Sequence, residues 1–179
     1  MPRKDIARVE ILRYPQFDDW LRCKELALNT VWRYNPTNVT GEWKRKILNA
    51  EHSPIRTLMF TIKMTIPYYV SVHFVRHKYG VEHYVTSQRN DRQDKYDRNA
   101  ARQDAIVVHI MDINAQSLIN MARKRLCSKA DPTTKLVMQM IKDSIDDVCP
   151  EIADIMLSEC EYRGGKCHEF VSCREVQNE

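Results

Sequence analysis

The feature that most constrains the fold is a change of period inside one apolar run. Leu58, Phe60, Ile62 and Met64 alternate with Thr57, Met59, Thr61 and Lys63, the two-residue rhythm of a strand buried on one face, which we place at Arg56 to Thr65. Pro67 ends that rhythm. It has no amide for a sheet ladder, but its fixed φ suits the first turn of a helix running through Tyr68, Val72 and Val75. Arg76-His77-Lys78 follow at once. A buried element therefore sets where these cationic and titratable side chains point, and a second polar segment, Ser87-Gln88-Arg89, lies a few residues beyond. Such an arrangement suits an anionic, planar ligand held against a rigid scaffold. Cations at a helix C-terminus also stabilise the macrodipole, by about 0.3–1 kcal/mol each, with no ligand involved.

Elsewhere the pattern mixes strands and helices. Ile6 to Leu12 alternates as a strand and stops at Pro15, and Asp18 to Trp32 reads as a helix. Asn35-Pro36-Thr37-Asn38 is a turn, after which Thr40 caps a short helix presenting Trp43, Ile47 and Leu48 on one face. Residues 87 to 104 are polar, with Arg89, Arg92, Lys95, Arg98 and Arg102 set against Asp91, Asp94, Asp97 and Asp104. Ala105 to Ile113 is a second strong strand. Helices follow at Ala115 to Cys127, at Thr133 to Val148 (Val137, Ile141, Ile145 and Val148 on one face) and at Glu151 to Leu157. No regular βαβ rhythm runs through these elements. The expected class is α+β, one domain over residues 1–179 with a central antiparallel or mixed sheet flanked by helices.

With 179 residues and 43% hydrophobic content, the chain can bury a real core but not two comfortable ones. A net charge of +4 permits an anionic ligand without marking a dedicated nucleic-acid binder. Lys63, His73 and Arg76 interrupt the only stretch approaching a membrane span, and no apolar segment follows the basic N-terminus as a signal peptide requires. The expected location is the cytoplasm, with cysteines reduced or metal-bound.

About residues 50 to 150 resemble the flavin-dependent thymidylate synthases. The signature of that family reads Arg-His-Arg, two residues, Ser, one residue, Asn-Glu, one residue, Ser, one residue, Arg-Tyr. Ser53 to Arg76 follows the family stretch without a gap: a Ser-Pro opening, a strand, Pro67, a helix, then Arg-His. Further on, Arg125-Leu126, Ala130, Lys135 and Pro150 stand at the family spacing. The resemblance implies a homotetramer with flavin and nucleotide sites at subunit interfaces. It also implies FAD as cofactor, NADPH and a methylene-folate as co-substrates, and a pyrimidine deoxynucleotide such as dUMP as the methyl acceptor. By the same resemblance Arg76, His77, Lys78 and Arg125 contact the flavin, while Ser87, Gln88 and Arg89 hold the nucleotide phosphate. Lys135 reads the base, His73 lies near the substrate, and Lys135 and Ser87 are the catalytic candidates.

The departures are specific. The Asn-Glu pair is missing, and Glu82-His83 stand in the intervening segment, either as its replacement or as a solvated loop. Lys78 and Lys135 replace arginines, which keeps the charge but loses the planar two-pronged fork. Thr57 replaces a His, and His73 replaces a Gln, as a ligand contact or as a packed helix residue. Changes gather where base and folate would sit, which points to an altered substrate. The alternatives are a hydroxymethylating or dCMP-modifying homologue, and a non-catalytic nucleotide- or nucleic-acid-binding protein using Tyr84 and Tyr96 for stacking. The aspartates of the polar segment weigh against nucleic acid.

Cys149, Cys160, Cys167 and Cys173 fall in a cysteine-rich tail at 149–179, separated by 10, 6 and 5 residues, with a Gly164-Gly165 turn. They are candidate zinc ligands or plain reduced thiols; the paired two-residue knuckle is absent. Cys23 and Cys127 read as core.

Overall fold

The structure is a computed structural model and describes residues 7–92 and 97–173. Four strands form one antiparallel sheet in the order β1-β2-β4-β3: β1 (Arg8–Arg13), β2 (Met59–Pro67), β3 (Val81–Val85) and β4 (Ile106–Asn114). Helix α1 (Phe17–Asn29) and α2 (Gly41–Asn49) lie between β1 and β2. The short α3 (Tyr68–Phe74) follows β2, and α4 (Ala115–Arg125), α5 (Pro132–Asp146), α6 (Pro150–Ala153) and α7 (Glu159–Tyr162) follow β4. The α+β class expected from the pattern is the one observed.

Alternation along β2 and β4 builds the core. Phe60, Ile62, Met64 and Ile66 of β2, with Met111 and Ile113 of β4, are wholly buried on one face beneath α3, α4 and α5. The other face carries polar partners in register, such as the Thr61 hydroxyl donating to Asp112 Oδ1 at 2.7 Å. Burying an apolar side chain of this size contributes about 1.5–3 kcal/mol, so a one-residue slip of β2 would forfeit most of the core.

Helix starts follow their capping chemistry. Thr40, Asn114 and Asp131 each accept a backbone amide at the first turn of α2, α4 and α5, from Trp43, Ser117 and Thr134.

Three expectations are corrected. The strand placed from Arg56 begins only at Met59, because Ser53–Thr57 winds into a 3-10 turn started by Pro54 and closed by the Thr57 hydroxyl donating to Pro54 O at 2.8 Å. Glu82-His83 are not a solvated loop but the middle of edge strand β3. The helix expected to reach Leu157 stops at Ala153, although the chain stays packed beyond it, with Ile152, Ala153 and Met156 buried. Ile6, Asp94, Lys95 and Tyr96 lie outside the described residues.

Candidate functional site

Where α3 ends, the chain turns through residues 76–80 and enters β3, and this turn faces the start of α4. Between them opens a cleft of about 540 Å³, lined on one side by Arg76, His77, Lys78, Tyr79 and Gly80. Asn114, Gln116, Ser117 and Asn120 line the other side, and Arg56 reaches it from the 3-10 turn.

The turn is held by its carbonyls. His77 O accepts from His83 Nε2 at 2.8 Å, Tyr79 O from the Ser117 hydroxyl at 2.7 Å, and Gly80 O from the Asn114 amide at 3.0 Å. The amides of Lys78, Tyr79 and Gly80 donate to no partner among the described residues. Gly80 is required here. Its φ is +67°, and a Cβ would stand 2.2 Å from Asn114 Nδ2 and 2.3 Å from Ser117 Oγ.

The cleft is electropositive and uncompensated. Among the described residues Arg56, Arg76 and Lys78 form no ion pair, and all three are exposed. Arg125 stands behind them, donating through Nε to His77 Nε2 at 3.1 Å and through Nη2 to His73 O at 2.5 Å. Burial, and then the like charge of Arg76, lower the Arg125 pKa. His77 is pushed down to about 4 by burial first, then by Arg125 and His83, so it is neutral at pH 7 with Nε2 as the acceptor. An anion in this cleft relieves repulsion that the fold leaves standing.

The amides opposite are oriented from behind. Glu51 is an acceptor only, so Gln116 must turn Nε2 towards it, at 2.6 Å, leaving Oε1 without a donor among the described residues. Arg123 holds Glu51 in a close ion pair. Burial raises the Glu51 pKa, but hydrogen bonds from Arg123 and Gln116 outweigh it and keep the carboxylate ionised.

The residues singled out in the sequence divide into two sets. Arg76, His77, Lys78 and Arg125 come together at the cleft. Ser87, Gln88, Arg89, Lys135 and His73 do not line it. Ser87 Oγ accepts from the Arg89 amide at 3.3 Å, and the Arg89 guanidinium grips Asp91 at 2.8 and 2.6 Å. The His73 ring donates from Nδ1 to Thr134 Oγ1 at 2.6 Å, because Thr134 spends its own hydrogen on Asp131. Lys135, on α5, lies within electrostatic reach of Glu161.

The four tail cysteines do not gather. Among the described residues no three His, Cys, Asp or Glu side chains are placed to hold a metal ion. Cys149 is buried near Trp20, and burial pushes its thiol up to about 11. Cys23 is core, pushed by burial to about 12, whereas Cys127 is only half-buried.

Sequence reading missed Arg56, Asn114, Gln116, Asn120 and the core histidine His109. Asn114-Ala115-Gln116-Ser117 was legible as a helix cap, but nothing local says which cleft a cap faces. His109 carried a signal: a lone imidazole on the apolar face Val107, Met111, Ile113.

No family model matches the chain, and no curated protein matches it in sequence. Its structure, however, matches that of PolB from Streptomyces cacaoi, a UMP/dUMP methylase crystallised with 5-Br dUMP. The fold is shared with that methylase. The TM-score is 0.64 over 85% of this chain and 97% of the other, at 11% sequence identity. This chain thus has a fold that a nucleotide methylase also uses. No helix among the described residues is long and apolar enough to cross a membrane.

Proposed function

We propose that this protein is a flavin-dependent methylase of pyrimidine nucleotides, acting on dUMP or a related base. The observation that carries the proposal is the cleft of unpaired cations Arg56, Arg76 and Lys78 against the first turn of α4, on a fold shared with a UMP/dUMP methylase.

The residues fit a flavin dinucleotide. A volume of about 540 Å³ falls in the range of roughly 300–1,000 Å³ typical of small-molecule sites. Arg56, Arg76 and Lys78 would hold phosphate oxygens, with the Lys78–Gly80 amides as further donors. Gln116 and Asn120 would take a ring edge, Gln116 as an acceptor. Bound flavin supplies hydride transfer, with NADPH as reductant and a methylene-folate as carbon donor in this reading. The chain's own work is to bind, to orient and to keep His77 neutral beside the cations. Charge developing on a base carbonyl is best met by cations already in place, because no reorganisation is then required.

In this reading Ser87, Arg89 and Lys135, which stand outside the cleft of one chain, would reach the nucleotide site from another copy in a homotetramer. Nucleic acid is the weaker alternative: Arg89 is spent on Asp91 and Arg102 on Asp104, so the polar segment has little field to offer.

The purified protein is expected to show the visible absorption of oxidised flavin, or to take up FAD with quenching of flavin fluorescence. A colourless protein that leaves FAD fluorescence unchanged rejects the flavin reading. Lys135→Arg, with its planar fork restored, is expected to raise dUMP turnover relative to dCMP. Equal ratios in native, Lys135→Arg and Lys135→Ala proteins remove Lys135 from base recognition.

A further inference from the structure

Behind the cleft runs an unbroken polar chain from the core to the cleft-lining turn. Ser71 Oγ lies 3.0 Å from His109 Nδ1, His109 Nε2 lies 2.9 Å from His83 Nδ1, and His83 Nε2 lies 2.8 Å from His77 O. The last acceptor sets every proton. A carbonyl cannot donate, so His83 Nε2 carries the hydrogen and a neutral His83 accepts at Nδ1. His109 must then donate from Nε2 and accept at Nδ1, which leaves the Ser71 hydroxyl as the first donor. Ser71 and His109 are buried, with Phe74 edge-on to the His109 ring at 6.4 Å. With both imidazoles neutral every link has one donor and one acceptor, and each link fixes the ring orientation of the next.

We infer that His83 is a positioning residue for the cleft, tying the His77 carbonyl to the buried Ser71–His109 pair so that Arg76 and Lys78 stand ready for an anionic ligand. Three features support this. His77 O is one of only three carbonyl anchors described above for the turn, and the other two lie at Tyr79 and Gly80. His83 sits on edge strand β3 directly opposite Met111, two pairs from the Val85–His109 pair and so on the same face as the His109 it bonds, which places its ring by the sheet rather than by the loop. Arg125 engages the His77 ring from the other side, so the residue is held at both ring and carbonyl while the flanking cations remain exposed. The inference deepens the flavin reading of the cleft and rests on it for the ligand.

The test compares native protein with His83→Ala, His83→Asn and His83→Gln. Gln places an amide nitrogen near the Nε2 position and can keep the bond to His77 O. Asn is one carbon short of it. FAD affinity by fluorescence titration is expected to weaken about tenfold in His83→Ala and His83→Asn and to stay within about threefold in His83→Gln. In the ligand-free proteins, exchange of the His77 and Asn114 amides, which donate to Phe74 O and Gly80 O at 3.0 Å, is expected to quicken in the first two and to match native in the third. Native-like FAD affinity and exchange in both His83→Ala and His83→Asn overturn the inference and leave the flavin reading intact. A native protein that binds no FAD overturns the flavin reading, while the exchange comparison still decides the role of His83. Two disrupting variants keep the result independent of how either one folds.

Discussion

The turn at 76–80 and the polar segment after β3 are both rich in cations, yet the fold treats them in opposite ways. In the polar segment two arginines meet a carboxylate two residues on: Arg89 grips Asp91 and Arg102 grips Asp104, all well exposed. Exposed pairs of this kind contribute about 0–1 kcal/mol, so they quench charge more than they stabilise. At the turn Arg76 and Lys78 have no carboxylate among the described residues, and Arg76 adds to the repulsion felt by Arg125. The lesson is that a count of basic residues does not locate an anion site. What locates it is positive charge that the protein leaves unpaired and holds in place with a backbone that cannot relax.

The largest expected effect breaks the comparison directly. Arg76→Ala with His77→Ala should abolish measurable FAD binding, whereas Arg89→Ala should leave it unchanged. Equal losses in the two variants would mean that the cleft is not distinct from the segment.

Gly80 tests whether the held backbone matters. Gly80→Ala forces a side chain into positive φ and against Asn114 and Ser117, and should cost about 2–3 kcal/mol in thermal or denaturant unfolding. Gly164, with φ +65° but nothing within 4 Å of a Cβ, isolates the backbone part, and Gly164→Ala should cost about 1 kcal/mol. Equal costs would show that the close approach to α4 is unimportant.

Acid should weaken the cleft region before it affects the polar segment. His109 is pushed from 6.5 down to about 4 by burial first and then by His83, and His77 falls to about 4 as well. Between those values the unfolded chain binds the protons and the folded one does not. The stability they contribute is therefore complete above about pH 6.5 and is lost as pH falls towards about 4, on the order of 3 kcal/mol for the wholly buried His109 and less for the half-buried His77. A melting temperature unchanged from pH 7 to pH 4.5 contradicts neutral, buried histidines at these positions.

The smallest expected effect concerns the segment alone. Arg89→Ala should weaken dUMP binding by no more than about threefold by calorimetry, because Arg89 has to give up Asp91 to meet a phosphate. A loss of about tenfold or more would place the phosphate on Arg89 despite that pairing.

Much of the fold was legible because its signals are local. Period-two alternation in β2 and β4, the Thr40 cap, the Pro67 break and the apolar face of α5 each need only a few neighbouring residues to act. The errors were also local in cause. Pro54 drew Arg56 and Thr57 into a 3-10 turn that alternation could not reveal. β3 was hidden because Glu82, His83 and Tyr84 are a weak strand by composition and pair only once β4 is alongside.

The sequence by itself determined the α+β class, the path from buried strand to helix to cations, and the identity of Arg76, His77 and Lys78 as the residues that emerge from it. Only the tertiary structure decided that Arg56, Gln116 and Asn120 share their cleft, and that Ser71, His109 and His83 align behind His77. The reason is distance along the chain. His83 bonds a residue 26 positions away and Arg125 one 48 positions away, and such contacts are set by strand register and helix packing, which no short window of sequence contains.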